Sequence, residues 1–80
     1  MPVVTISDAT FEAEVLGSEL PVLIDFYADW CQPCKVLAPK LEKLSGDYQG
    51  AVKFVKVDVE ANPAIAQAFQ IRSMPTLMLL

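Results

Sequence analysis

Trp30-Cys31-Gln32-Pro33-Cys34 separates an apolar run from a helical pattern, and it contains both cysteines of this 80-residue chain. The run at residues 22–27 predicts a buried strand, and the pattern at residues 35–44 predicts a helix. A sulfur at the start of that helix would face unpaired backbone N–H groups and the positive end of the helix dipole, which stabilise a thiolate. The thiolate is the form of cysteine that attacks disulfides. Because the second cysteine lies one helical turn away, the stretch predicts reversible dithiol–disulfide exchange.

Zinc binding and a purely structural disulfide are the alternatives for this cysteine pair. A tetrahedral zinc site needs four ligands, whereas the chain has no histidine and only two cysteines, so two chains would have to share one ion. A disulfide across two intervening residues closes a very short loop and therefore stabilises little. The spacing and the context favour the redox interpretation, since two cysteines in a cytosolic protein are more typical of catalysis than of structure.

The composition predicts one small cytoplasmic domain that occupies residues 1–80. Apolar residues make up 54% of the chain and charged residues 20%, a balance typical of α/β proteins whose strands are buried on both faces. The net charge of −4 comes from intermixed acids and bases, which form no nucleic-acid-binding patch. No apolar run reaches membrane-spanning length, and the first residues lack the basic and apolar regions of a signal peptide. We therefore expect neither nucleic-acid nor membrane partners.

Strand and helix patterns alternate along the chain. Strands are predicted at residues 3–6, 22–27, 52–59 and 77–80, and helices begin at Ser7 or Asp8, at residue 35 and after the Asn62 cap. The apolar faces of the first two helices are predicted at Phe11, Val15 and Leu16, and at Val36, Leu37, Leu41 and Leu44. This alternation predicts a mainly parallel sheet with right-handed crossovers.

Asp25 and Lys56 each interrupt an apolar strand pattern. A carboxyl group in the middle of the 22–27 run is expected to be buried, and an unpaired buried charge is costly. If the two strands are neighbours, Asp25 and Lys56 can face each other beneath the cysteines. A structural ion pair, or an aspartate on a partly solvated face, remains an alternative to a catalytic role.

The sequence resembles the thioredoxin family along most of its length. The matching stretches are residues 22–35, Pro39, residues 55–59 and Ile71-Arg72-Ser73-Met74-Pro75-Thr76-Leu77. The cysteine spacing alone would be weak evidence for this family, but the aspartate before it and the Met-Pro-Thr sequence after it make the resemblance specific. It implies a thioredoxin-like α/β fold, with a mixed sheet of about four strands flanked by helices. It also implies an enzyme, a thiol–disulfide oxidoreductase that reduces protein disulfides.

The resemblance also implies a role for each residue of the site. Cys31 would attack the substrate disulfide and, being more exposed than its partner, would react first, while Cys34 would resolve the mixed disulfide. Asp25, near Lys56, would take and return the Cys34 proton. The other implied residues shape the site or bind substrate: Trp30, Gln32, Pro33, the backbone of Met74, and Pro75 after a cis peptide bond. The redox-active disulfide would serve without any other cofactor or metal, and the partners would be disulfide-containing proteins and thioredoxin reductase.

Two features depart from the family pattern. Gln32 stands where cytosolic thioredoxins usually have glycine, and because it offers no cation to the thiolate we still expect a reductant. The chain ends at Leu80, before the last strand and helix of the family. We expect the resulting sheet edge to be exposed and to support a homodimer. The second functional hypothesis is therefore a truncated module with little turnover that acts by self-association or binding.

Overall fold

The computed structural model describes residues 3–80, which form four strands, two α-helices and one short π-helical segment. The elements are β1 (Val4–Thr5), the π-helical segment (Glu12–Leu16), β2 (Val22–Tyr27), α1 (Gln32–Asp47), β3 (Lys53–Asp58), α2 (Pro63–Ala68) and β4 (Thr76–Leu79). The predicted order of strands and helices is confirmed, although most of the predicted ends move by one to three residues. No helix within the described residues is both long and apolar enough to cross a membrane.

The four strands form one mixed sheet in the order β1-β3-β2-β4. Strand β3 runs parallel to both β1 and β2, and β4 runs antiparallel to β2. The β2–β3 register places Asp25 directly opposite Lys56 and Tyr27 opposite Asp58. The predicted mixed sheet of four strands is confirmed, and the neighbouring positions of Asp25 and Lys56 are confirmed with it.

The main hydrophobic core lies on one face of this sheet. Its buried members are Ile6, Val15, Val22, Ile24, Phe26, Val55, Val57 and Ile65. Since successive side chains of a strand point to opposite faces, Val22, Ile24 and Phe26 occupy the core face while Asp25 and Tyr27 occupy the other. Each fully buried side chain of this size contributes about 1.5–3 kcal/mol through removal of apolar surface from water. The core therefore fixes β2 and β3, and these strands carry the polar residues of the opposite face.

Helix α1 buries only part of the apolar face that the sequence predicted, since Leu37 is half-buried and two other members are exposed. Leu41 is buried, but Val36 is 54% exposed and Leu44 40% exposed. The side that faces the sheet instead carries Cys34, Leu41 and Ser45, all of them buried. These three positions are spaced for one face of a helix. This orientation of the helix turns Cys34 toward the sheet. Val36 and Leu44 lie on other sides of the helix and are therefore left in solvent.

The first predicted helix is a short π-helical segment, and its apolar face is only partly correct. Phe11 and Val15 pack in the core, as predicted, whereas Leu16 is 68% exposed. Val15 is the buried residue of this segment, and it belongs to the core that lies on the sheet. Lys53 of β3 holds the segment there, since its ammonium lies 2.7 Å from a Glu14 carboxylate oxygen.

The N-terminus of α2 is capped by a residue far away in the sequence. The Asn62 side chain, the predicted cap, makes no capping hydrogen bond. Instead, the Asp8 carboxylate accepts the backbone N–H groups of Ala64 at 3.2 Å and of Ile65 at 2.9 Å. Asn62 accepts the Asp8 N–H and donates to the backbone oxygen of Asp58. These bonds attach the start of α2 both to the N-terminal segment and to the end of β3.

Candidate active site

The two cysteines form a disulfide at the N-terminus of α1. Cys31 is the N-cap, and the Cα atoms of Cys31 and Cys34 are 5.3 Å apart. The Cys34 backbone N–H donates to the Cys31 sulfur at 3.2 Å. Pro33 lies in the first turn, where its missing N–H would have no helical partner in any case. The predicted position of Cys31 is therefore confirmed, and its sulfur receives both a backbone donor and the positive end of the helix dipole.

Both cysteines are covered in the disulfide form. Cys31 is 3% exposed and Cys34 is 4% exposed. They form a small apolar cluster with Ala28, against which Tyr27, Val59 and Met74 pack. The expectation that Cys31 is more exposed than Cys34 is wrong for this state, because the neighbouring apolar side chains shield the two residues equally.

The loop before β4 lies against this cluster. The Met74–Pro75 peptide bond is cis, as predicted. Met74 is partly buried on the cysteine pair, and the ladder between β4 and β2 begins only at Thr76. The Met74 backbone therefore lies beside the disulfide and outside the ladder, where an extended chain could approach it.

The exposed rim of the site contains Trp30, Gln32 and Pro33. Trp30 is 64% exposed, and its indole Nε1–H donates to a Glu60 carboxylate oxygen at 2.7 Å. The Glu60 backbone N–H in turn donates to the Asp58 carboxylate at 2.9 Å. The sequence analysis did not include Glu60 or Asp58 among the residues of the site. The contact of Glu60 with the indole depends on how the loop after β3 returns toward α1, for which the sequence contains no signal.

Asp25 is a buried carboxyl group behind the cysteines. Asp25 is 4% exposed, and its Oδ1 has no hydrogen-bond partner among the described residues. Burial raises the pKa of Asp25 above the ordinary 3.8, while the positive charge of Lys56 partly offsets that rise. A cavity of about 140 Å³ is lined by Asp25, Cys34 and Lys56, so the carboxyl group and the second sulfur border one space. That space is large enough and polar enough to hold water.

Lys56 lies opposite Asp25 without forming an ion pair to it. Within residues 3–80 the one ion pair closer than 4.0 Å is that of Lys53 with Glu14. The Lys56 ammonium lies instead 5.7 Å from the centroid of the Tyr27 ring. Tyr27 was not predicted to belong to the site. The available signal was its position two residues after Asp25, which places both side chains on the same face of β2.

The structure thus brings all the predicted site residues to one end of the sheet. The cysteines, Trp30, Gln32 and Pro33 surround the start of α1, Met74 and Pro75 lie beside them, and Asp25 and Lys56 lie beneath. Within the described residues, no group of three or more His, Cys, Asp or Glu side chains is arranged to hold a metal ion. A disulfide at a helix N-terminus with a buried carboxyl group behind it indicates that this chain is a thiol–disulfide exchange protein.

Comparison with known proteins identifies the family within that class. The family model for thioredoxin matches residues 2–80. The chain is 51% identical over 74 residues to a thioredoxin of Synechocystis sp., which covers 92% of this chain and 69% of that protein. A thioredoxin of Rickettsia bellii is 49% identical over the same length. The crystal structure of chloroplastic thioredoxin z superimposes with a TM-score of 0.91 at 34% identity, covering all of this chain and 71% of the other. The chain belongs to the thioredoxin family, and its cysteine pair is a redox-active disulfide.

Proposed function

We propose that the chain is a protein-disulfide reductase that works by dithiol–disulfide exchange at Cys31 and Cys34. The observation that carries the proposal is the placement of the Cys31 sulfur at the N-terminus of α1, 3.2 Å from the backbone nitrogen of Cys34. The N–H donor and the helix dipole both favour a thiolate over a thiol in the reduced protein. The thioredoxin relatives support the same activity.

The proposed reaction moves two electrons to the substrate in two steps. The Cys31 thiolate attacks a substrate disulfide, which breaks as a mixed disulfide forms, and the released substrate sulfur takes a proton from solvent. Cys34 then loses its proton and attacks the Cys31 sulfur. The mixed disulfide breaks, the Cys31–Cys34 disulfide forms, and the second substrate sulfur leaves and is protonated. Thioredoxin reductase, which family membership supports as a partner, would return the two electrons.

Asp25 is the proposed acceptor of the Cys34 proton. A carboxyl group with an ordinary pKa would be a weak base toward a thiol, but burial raises the pKa of Asp25 and makes its carboxylate more basic. The cavity that both residues line would let one water carry the proton between them. Lys56, which borders the same cavity, contributes the positive charge that limits how far the pKa of Asp25 rises.

The proposed substrate site is the surface around the disulfide. An extended substrate chain would pair with the backbone of Met74, outside the β4 ladder, as an added strand. Trp30 would supply an exposed apolar contact, and Gln32 and Pro33 would border the attacking sulfur. Because Gln32 adds no positive charge beside the thiolate, we propose that the chain acts as a reductant. A cytoplasmic location remains a prediction, since one similar structure is that of a chloroplastic protein.

Insulin reduction coupled to thioredoxin reductase tests this function. The protein should accelerate reduction of the insulin disulfides, and Cys31→Ser should abolish the acceleration. Val36→Ala, on the exposed side of the same helix, is the matched control and should retain it. If the reduced protein transferred no electrons to insulin or to another protein disulfide, the proposed function would be wrong.

A further inference from the structure

Four side chains share the sheet face beneath the cysteine pair. Asp25 and Tyr27 alternate along β2, and Lys56 and Asp58 alternate along β3 in the matching register. Lys56 therefore has two neighbours on β2, the carboxylate of Asp25 directly opposite and the ring of Tyr27 diagonally adjacent. Both can attract an ammonium group, so the two side chains compete for the ammonium of Lys56.

The structure shows which neighbour the ammonium contacts. The Lys56 nitrogen lies 5.7 Å from the Tyr27 ring centroid, within the range of a cation–π interaction. No ion pair closer than 4.0 Å joins Lys56 to Asp25 in residues 3–80. Oδ1 of Asp25 also has no hydrogen-bond partner in that part of the chain. Lys56 and Tyr27 are both half-buried, and partial removal of water strengthens such a contact.

We propose that Tyr27 is a positioning residue that holds the Lys56 ammonium over its ring and away from the Asp25 carboxylate. The inference rests on the proposed function, in which Asp25 accepts the Cys34 proton. An ammonium in direct contact with the carboxylate would stabilise the charged form and make it a weaker base. Tyr27 packs against the cysteine cluster, but it acts on the proton transfer through Lys56, and thus keeps Asp25 basic enough to take a proton.

Several other charged or titratable groups border the same space and must be considered in any pH experiment. Asp29, just after β2, and Cys34 and Lys35 of α1 line the cavity, and Glu42 of α1 lines a smaller one beside Asp25 and Lys56. The charge of Asp58 on β3 acts on Tyr27. Working on the oxidised protein removes the titration of Cys34, because a disulfide sulfur carries no proton. The remaining acids and Lys35 are unchanged between the variants compared below, so they cancel in the comparison.

The test is a carbon-13 NMR titration of the Asp25 carboxyl group in the oxidised protein. Tyr27→Leu keeps an apolar cover but removes the π face, and should lower the titration midpoint by about one pH unit as Lys56 moves onto the carboxylate. Tyr27→Phe keeps the ring and should restore the original midpoint. If Tyr27→Leu left the midpoint unchanged, or raised it, the inference would be overturned. Tyr27→Met makes the same test should Tyr27→Leu not fold.

A second background separates this inference from simple entry of water. In a Lys56→Met protein no ammonium is present, so adding Tyr27→Leu should leave the Asp25 midpoint where Lys56→Met alone puts it. A midpoint that still fell in that background would show that the ring acts by excluding water, which would contradict the proposal. The titration does not depend on turnover, so failure of the insulin assay would reject the proposed function while leaving this result interpretable.

Discussion

Removing the Asp25 carboxyl group is expected to stabilise the protein at neutral pH. The residue is 4% exposed and Oδ1 has no partner within the described residues. A buried polar group without a partner costs about 1–3 kcal/mol, and more when it is charged. Asp25→Ala removes the carboxyl group and gives up no other part of the side chain. We therefore expect the free energy of unfolding of the variant to exceed that of the parent by about 1–3 kcal/mol at pH 8.

The sign of the pH dependence follows from the direction of the pKa shift. Burial raises the pKa of Asp25 in the folded state above the 3.8 expected for the unfolded chain. Between those two pKa values the folded protein holds a proton that the unfolded chain has lost, so parental stability falls as pH rises through this window. Asp25→Ala lacks this carboxyl group, so its stability does not fall in this way. Its advantage should be smallest near pH 4 and should grow as pH rises.

Urea unfolding of the oxidised proteins at a series of pH values measures this difference. The slope of free energy against urea should be equal in the two proteins, since nearly the same surface is exposed on unfolding. Asp47→Ala, which removes an exposed acid, is the control and should change stability by less than about 0.5 kcal/mol throughout. An Asp25→Ala protein that was less stable than the parent at pH 8, or whose advantage was independent of pH, would refute the reasoning.

Three further predictions concern reactivity and association. With limiting iodoacetamide, Cys31 of the reduced protein should be alkylated ahead of Cys34, because its sulfur has the N-cap position; preferential labelling of Cys34 would contradict the assignment. Asp25→Ala should slow resolution of a mixed disulfide by ~100-fold while changing its formation much less, as stopped-flow measurements with a disulfide substrate would show; equal slowing of both steps would make Asp25 structural. At micromolar concentration the chain should self-associate through the outer edge of β4, which has no strand partner within residues 3–80 and carries the exposed Leu77 and Leu79; a sedimentation profile of monomer alone would reject this.

The strands that carry the site were predictable because their apolar runs are short and rich in β-branched and aromatic residues. Residues 22–27 and most of 52–59 form β2 and β3, and the polar interruptions at Asp25 and Lys56 correctly indicated a feature beneath the cysteines. The position of the cysteines at a helix N-terminus was equally predictable, because the pattern changes from strand to helix near residue 31. These signals are local, and each depends on one segment of sequence.

The features that were missed depend on contacts between distant segments. The buried side of α1 is set by Cys34 facing the sheet, which overrides the preference of Val36 and Leu44 for burial. The cap of α2 comes from Asp8, more than 50 residues away in the sequence. The position of the Lys56 ammonium depends on the β2–β3 register, which no single-strand pattern specifies.

Trapping a mixed disulfide tests the central claim most directly. Cys34→Ser keeps the attacking sulfur and removes the resolving one, so incubation with a protein disulfide should yield a stable covalent adduct. Mass spectrometry should show one substrate sulfur joined to Cys31, with release by dithiothreitol. Absence of any adduct with Cys34→Ser, or an equally stable adduct formed through Cys34 in Cys31→Ser, would contradict the proposed order of attack and resolution.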